Sequence, residues 1–563
     1  MGLNPVLSEM SHVEKELLEL LKELSPSSAY IHGIEECAGK CFVPSKKNLT
    51  TARKKLADIL KEAENDIQRA LINGMIVALE FHEPYMVPSD LTDTFFIHLV
   101  KEKIVVNHLV SLAGYGEQAL DEYLKLLSKK NWPIEIKILT CQKTDGLIGI
   151  LDTIISETKD EKLKNTLSNL KRKAEEYRKI YAVKGLKKGD FSEVYPTLQK
   201  TKSKINHKSI YPKLLKKFWG YPETITQIEA KAAKWLQKEL LTLQKTAKKL
   251  AKIYRTKESI ETVDEEMTKR RSIPKQQVLD FVKQTRKIAQ KVFEKHIVRI
   301  TPKYETRVIE TPAYLINFIP TAAMMPINGW TDQPFNIFFV TTDPRASPSS
   351  SIPEMIQSLL HEEYGHAVNF SNSMTRYAAK PSFSELFGST GFATHISDGI
   401  SFFREYEFIR MLNELAKMKK LDKDEAELLR ILKADTDLKT MLLENEFVVW
   451  EWRITRFLRA IFDARINMGR QSVADFVEWA HKETGLSKKM IYNQTWIFLS
   501  MVGYAPCYSM AGDMIRRLQD LAMKNKISII DFNTYASSLG FPTRKIFEQK
   551  LTVFAQGKSK TKA

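Results

Sequence analysis

Cysteine is scarce in this chain: Cys37, Cys41, Cys141 and Cys507 are the only four in 563 residues. Four thiols cannot staple a fold of this length, which excludes the disulfide-built secreted class and fits a reducing compartment. Cys37 and Cys41 stand in ECAGKC without a second Cys/His pair at zinc-finger spacing, so no zinc finger is expected there. Long apolar runs are missing as well. PAYLINFIPTAAMMPI (Pro312–Ile327) and FNIFFV (Phe335–Val340) are too interrupted or too short to span a bilayer, which takes about 20 apolar residues. No transmembrane helix is expected, and no membrane partner. The first residues, MGLNPVLSEMSHVEKELLELLKEL, show no basic segment followed by an apolar core and cleavage site, and Val6 stands where a myristoylation signal wants Ser or Thr. A cytoplasmic location is therefore expected. Neither an internal repeat nor a low-complexity tract appears.

Apolar residues make up 43% of the chain and aromatic ones 10%, enough for a large globular interior. The formal charge is +18. Such a charge suits a polyanion such as RNA, and a non-catalytic helical scaffold binding nucleic acid through a basic surface is the alternative functional reading. Against it, lysines alternate with acids at helical spacing in KDEKLKNTLSNLKRKAEEYRKIYAVKGLKKGDF (Lys159–Phe191), the pattern of a solvated surface.

Helical spacing also runs through KNLTTARKKLADILKEAENDIQRALINGMIVAL (Lys47–Leu79) and EAKAAKWLQKELLTLQKTAKKLAKIY (Glu229–Tyr254), which predicts a mostly α fold. The charged stretch KESIETVDEEMTKRRSIPK (Lys257–Lys275) breaks that pattern and reads as a boundary. It separates an N-terminal helical lobe, residues 1–256, from a second helical lobe, residues 276–553, interleaved with the first, before a basic tail at 554–563. Strand pattern concentrates between Arg307 and Thr342, where β-branched and aromatic residues alternate between Pro, Gly and Asn. Next, Ser351-x-x-Glu354 forms a capping box with Pro353 in the first turn, so a helix should start near Ile352, just after an edge strand.

That helix runs into LLHEEYGHAV (Leu359–Val368). In the zinc-peptidase signature His-Glu-x-x-His, imidazoles four residues apart share a helical face. Here they are five apart. On a regular helix five residues turn about 140° beyond a full circle and His361 and His366 diverge; one residue absorbed as a π-bulge brings them together. Gly365 makes such a rearrangement cheap. Two histidines with unrelated partners is the bland alternative. Further on, PSFSELFGS places Glu385 among Phe383, Leu386 and Phe387, and a buried carboxylate needs a partner such as a metal.

HEEYGHAVNF resembles the HEFGHALH of the thimet-oligopeptidase family with one residue inserted, and its HExxGH resembles the spaced motif of dipeptidyl peptidase III. FSELFG resembles both the FHEAIGD of angiotensin-converting enzyme and the FVEGWA of the family called domain of unknown function 885. SMVGYAPCYSMAGDMIRRL (Ser500–Leu518) is similar to the GYxAxYYSYL of thimet-type enzymes. The resemblance implies a gluzincin-type zinc metallopeptidase: two helical lobes around a deep central channel, with a small sheet beside the active-site helix. It implies one Zn2+ per chain on His361, His366 and Glu385, with Glu362, directly after the first His, as general base; apart from the resemblance, Glu363 on a bulged helix could exchange roles with it. Tyr504 and Tyr508 would face the zinc, Tyr508 donating to the oxyanion. The substrate would be a peptide or a small unfolded chain, trimmed as by a carboxypeptidase or cut as by an oligopeptidase. In GFATHISDG, His395 and Asp398 are candidates to support the zinc ligands from behind. Arg453, Arg456, Arg459 and Arg465 form either an ion-paired helix face or an anchor for a peptide's C-terminal carboxylate.

Overall fold

The computed structural model describes residues 10–127, 130–186, 189–312, 315–316, 319, 321–343, 350–379 and 396–557. The fold is mostly α with small sheets, as the spacing predicts. The helix Glu161–Tyr181 shows why. Leu163, Leu167, Leu170, Ala174, Tyr177 and Tyr181 recur every three or four residues and are buried, and Asp160 caps the start by accepting from the Leu163 N–H. The charges on its open face pair with neighbours, Lys171 with Asp152 at 2.7 Å and Arg172 with Glu176 at 2.9 Å. Exposed pairs of this kind contribute little stability, and they balance much of the local charge.

The buried apolar side chains form three clusters that do not follow chain order. One joins the first helices, up to Tyr181, with Trp330, Phe339 and the C-terminal Phe547 and Phe554. A second joins helix α1 (Ile225–Tyr254) to the later helix Leu438–Asn467. The third surrounds the histidine helix and includes Phe293 of helix α2 (Lys275–His296). Early and late segments thus share cores. Within the charged stretch Lys257–Lys275, Ile260–Arg270 is a helix capped by Ser259. It buries only Ile260, Val263 and Met267, so its composition reads like a linker although the spacing of those three is helical.

Strands β1 (Thr306–Glu310), β2 (Ala322–Ile327) and β3 (Phe335–Val340) form one sheet in the order β1-β3-β2. β1 runs parallel to β3, and β2 antiparallel to it with Met324 opposite Phe338. FNIFFV is thus the central strand of this sheet, while the short strand Ser350–Ser351 directly ahead of the histidine helix pairs, among the described residues, only with Ser272–Ile273, so the helix follows an edge strand as expected. FNIFFV is apolar apart from Asn336 and is buried throughout, as a central strand requires. The edge strand beside the histidines is β2.

Helix α3 (Ile352–Leu359) begins at the expected capping box, with Ser351 Oγ accepting from the Glu354 N–H and Glu354 Oε2 accepting from the Ser351 N–H. It continues as a π-helix over Leu360–Ala367 and returns to α-helix in α4 (Val368–Ala379). Three more helices complete the surroundings: α5 (Ser397–Leu415), α6 (Leu438–Asn467) and α7 (Pro506–Lys524).

Candidate metal centre

The wider π turn does what the five-residue spacing requires. His361 and His366 lie on one side of the helix with ring centroids 5.2 Å apart. Gly365 between them allows α5 to touch the π-helix: a Cβ there would lie 1.9 Å from Ser401 Oγ and 2.6 Å from Ser401 Cα. This close approach brings the first turn of α5 over the histidines.

Asp398 lies in that turn. Its Oδ1 is 3.2 Å from His361 Nε2 and 3.7 Å from His366 Nε2. Each imidazole is held from behind through its other nitrogen. His361 Nδ1 lies 2.9 Å from Glu405 Oε1, and His366 Nδ1 2.6 Å from Ser397 Oγ. Both Nε2 atoms and one carboxylate oxygen thus converge, all within 4.8 Å of one another. A nitrogen, nitrogen, oxygen set of this kind could hold a metal ion such as Zn2+, whose ligand bonds of about 2.0–2.2 Å would draw the donors to roughly 3–4 Å from one another. Asp398, expected behind the ligands, stands among them. Glu385 and His395 lie outside the described residues.

The two glutamates part company. Glu363 is fully buried, accepting from Arg286 Nε at 2.6 Å and from the Tyr304 hydroxyl. Glu362 points to the histidine side and accepts from the Met324 N–H of β2. Burial pushes its pKa up to about 7. Burial lowers the His366 pKa to about 4, which leaves that imidazole neutral and able to ligate. It acts on His361 in the same direction, but the hydrogen bonds with Asp398 and Glu405 outweigh it and hold the pKa at about 9. For Asp398, burial raises the pKa, and the histidines together with Tyr508 pull it below the usual carboxylate range.

Tyr504 and Tyr508 both reach the centre, through the same residue: each hydroxyl hydrogen-bonds to Asp398. Their position follows from a second close contact. Gly399 of α5 and Gly512 of α7 cross so tightly that a Cβ on Gly399 would lie 2.4 Å from Ala511 Cβ, and one on Gly512 2.5 Å from Phe402 Cδ1. Glu405 escaped the sequence reading. Its place seven residues beyond Asp398, two turns along one face of α5, was the available signal.

No family model matches the chain, and no curated protein matches it. Two solved structures share its fold. One, described as "the putative lipoprotein from Colwellia psychrerythraea", superposes with a TM-score of 0.67 at 12% identity, covering 97% of this chain and 99% of that one. The other, a "putative lipoprotein of unknown function from Shewanella oneidensis", gives a TM-score of 0.65 at 12% identity, covering 96% and 98%. At such identity the likeness extends to the fold alone. The cytoplasmic expectation is corrected and withdrawn: these two structures are described as putative lipoproteins.

Proposed function

We propose that this chain is a zinc-dependent peptidase acting on peptides or small unfolded chains. The observation that carries the reading is the convergence of His361 Nε2, His366 Nε2 and Asp398 Oδ1 on the side of the helix that bears Glu362. His361, His366 and a carboxylate, from Asp398 or from Glu385, would hold one Zn2+, which would supply Lewis acidity and an acidified water. Glu362 would take the water's proton and pass it to the leaving amine, a task suited to an acid–base group with a pKa near neutrality. Tyr508 would turn its hydroxyl from Asp398 to the developing oxyanion, while Tyr504 keeps Asp398 in place. Glu363 takes no part, being committed to Arg286 and Tyr304. Two lobes flanking a deep channel, which would admit peptides and exclude folded proteins, belong to the same proposal.

The test is a mixed peptide library incubated with the zinc-supplied protein and read by mass spectrometry, then repeated after chelation and after zinc is restored. Cleavage that vanishes with chelation and returns with zinc supports the reading. A zinc-supplied protein that cleaves nothing ends it.

A further inference from the structure

Of the four arginines singled out on α6, three are neutralised by carboxylates from other helices. Arg453 donates to Glu239 at 2.7 and 3.0 Å, Arg465 to Glu229 at 2.7 Å, and Arg456 to Glu405 at 3.3 Å. Arg459 differs. Its Nε donates to the Gln494 carbonyl at 2.9 Å and its Nη2 to the Gln494 side chain, both neutral groups. Among the described residues no carboxylate lies within ion-pairing distance of it, and Nη1 has no hydrogen-bond acceptor. Asp398 and Glu405 act on this half-buried guanidinium only from beyond hydrogen-bonding distance, so its fork is left open to an anion that a ligand brings.

The surroundings say where that ligand would lie. The Arg459 guanidinium sits 4.7 Å from the Phe498 ring centre and 5.3 Å from that of Tyr508. The Tyr508 ring in turn stacks 6.5 Å from the His361 ring. Sharing Tyr508 keeps Arg459 within about 12 Å of His361, a span covered by no more than about three extended residues at roughly 3.3–3.6 Å each. The planar fork of an arginine matches a carboxylate with two parallel N–H···O bonds.

We propose that Arg459 anchors the free C-terminal carboxylate of a peptide whose scissile bond lies at His361, His366 and Asp398. This rests on the peptidase reading above and makes the enzyme a trimmer of C-termini, releasing one to three residues per cut. Phe498 and Tyr508 flank the anchored end, so the released residues would carry apolar or aromatic side chains. An acidic side chain offers the same chemistry as a C-terminus, and the experiment separates the two.

Three peptides are compared with the zinc-supplied protein: a free acid, the C-terminal amide of the same sequence, and that amide with its last residue changed to Glu. The free acid should show a kcat/KM at least about 10-fold above the amide, the effect of one charge-assisted contact. In Arg459→Gln the acid-to-amide ratio should fall toward one, chiefly through KM, with zinc content and melting temperature kept; Arg459→Lys should restore part of the ratio. Calorimetric titration of acid and amide into Glu362→Gln reads the anchor without turnover, the acid binding more tightly. Equal cleavage or equal binding of acid and amide overturns the proposal. A preference for the Glu-containing amide over the plain acid overturns the C-terminal assignment in favour of a side-chain carboxylate. If nothing is cleaved while calorimetry still separates acid from amide, the carboxylate anchor stands and the peptidase reading falls.

Discussion

His361 Nε2 lies 3.2 Å from Asp398 Oδ1 although 37 positions separate the two in the chain. The imidazole comes from the π-helix and the carboxylate from the first turn of α5. Neither is placed by local sequence alone. They meet because Gly365 lets the backbone of α5 rest on the π turn at Ser401.

Metal binding should depend on both. Elemental analysis of protein supplied with zinc should find about one ion per chain, and His366→Ala and Asp398→Ala should each lose it. Glu385→Gln belongs in the same experiment. If that variant is emptied and Asp398→Ala is not, the third ligand is Glu385, and Asp398 serves the histidines from behind.

The adjacent glutamates should fail in different ways. Glu362→Gln should keep zinc and stability but lose peptide hydrolysis by roughly 10²-fold or more, because an amide cannot accept the water's proton. Glu363→Gln should instead lower the unfolding free energy by about 1–3 kcal/mol, since it leaves the half-buried Arg286 without its counter-charge. Urea melts and an activity assay on both variants check this. A fully stable, inactive Glu363→Gln would reverse the two roles.

Gly365→Ala is expected to push α5 off the π-helix. Its Cβ would meet Ser401 at both side chain and backbone, so Ser401→Ala cannot relieve the clash. Overpacking of this kind costs about 1–3 kcal/mol. Zinc affinity should fall together with stability, because the displaced turn carries Asp398. Equilibrium dialysis at matched temperature separates this from ordinary destabilisation: a variant of lower melting point with unchanged zinc affinity would show that the turn does not position the ligand.

Much of this was legible in the sequence. The alternation around FNIFFV, the Ser351–Glu354 box and the five-residue histidine spacing each report a local constraint, and local constraints are what a linear pattern records. Asp398 was legible as a support for the histidines, but not as a group standing between their Nε2 atoms. Its position is set by how near two backbones approach, and the only trace of that is Gly365, which the sequence presents as a source of flexibility. The choice between Glu362 and Glu363 hinged on Arg286 and Tyr304, 77 and 59 residues upstream of Glu363, with no spacing to advertise the pairing. The helix Ile260–Arg270 went unread because three buried residues leave a composition like that of a linker.

Stability should also carry a pH signature outside the metal centre. Asp463 is buried on α6, accepting from the Tyr211 hydroxyl at 2.7 Å, Asn467 Nδ2 at 2.8 Å and the Gly503 N–H at 3.0 Å. His207 faces it through Asn467 and contacts Glu83 at 3.0 Å. Burial raises the Asp463 pKa to about 7. The folded state then holds this proton more tightly than the unfolded chain, whose Asp pKa is about 3.9, so the contribution to stability falls as pH rises from about 4 to about 7. The raised pKa of His207 acts in the same direction, its contribution being lost as pH climbs through the folded value. Unfolding free energies from urea melts between pH 5 and 7.5 should fall less steeply in Asp463→Asn than in the wild type, by roughly 1–4 kcal/mol over the window. Parallel slopes would show that the carboxyl is not held protonated.

The crossing of Gly399 and Gly512 has a mechanical consequence. With no side chain between them, α5 and α7 behave as one plate, and Asp398 rides on the same rigid part as Tyr508. Thermal loosening should carry the carboxylate and the tyrosine away from the histidines together, leaving their mutual hydrogen bond for last. Separating Asp398 from Tyr508 would need a hinge elsewhere, because the two helices cannot be moved one at a time without parting this contact.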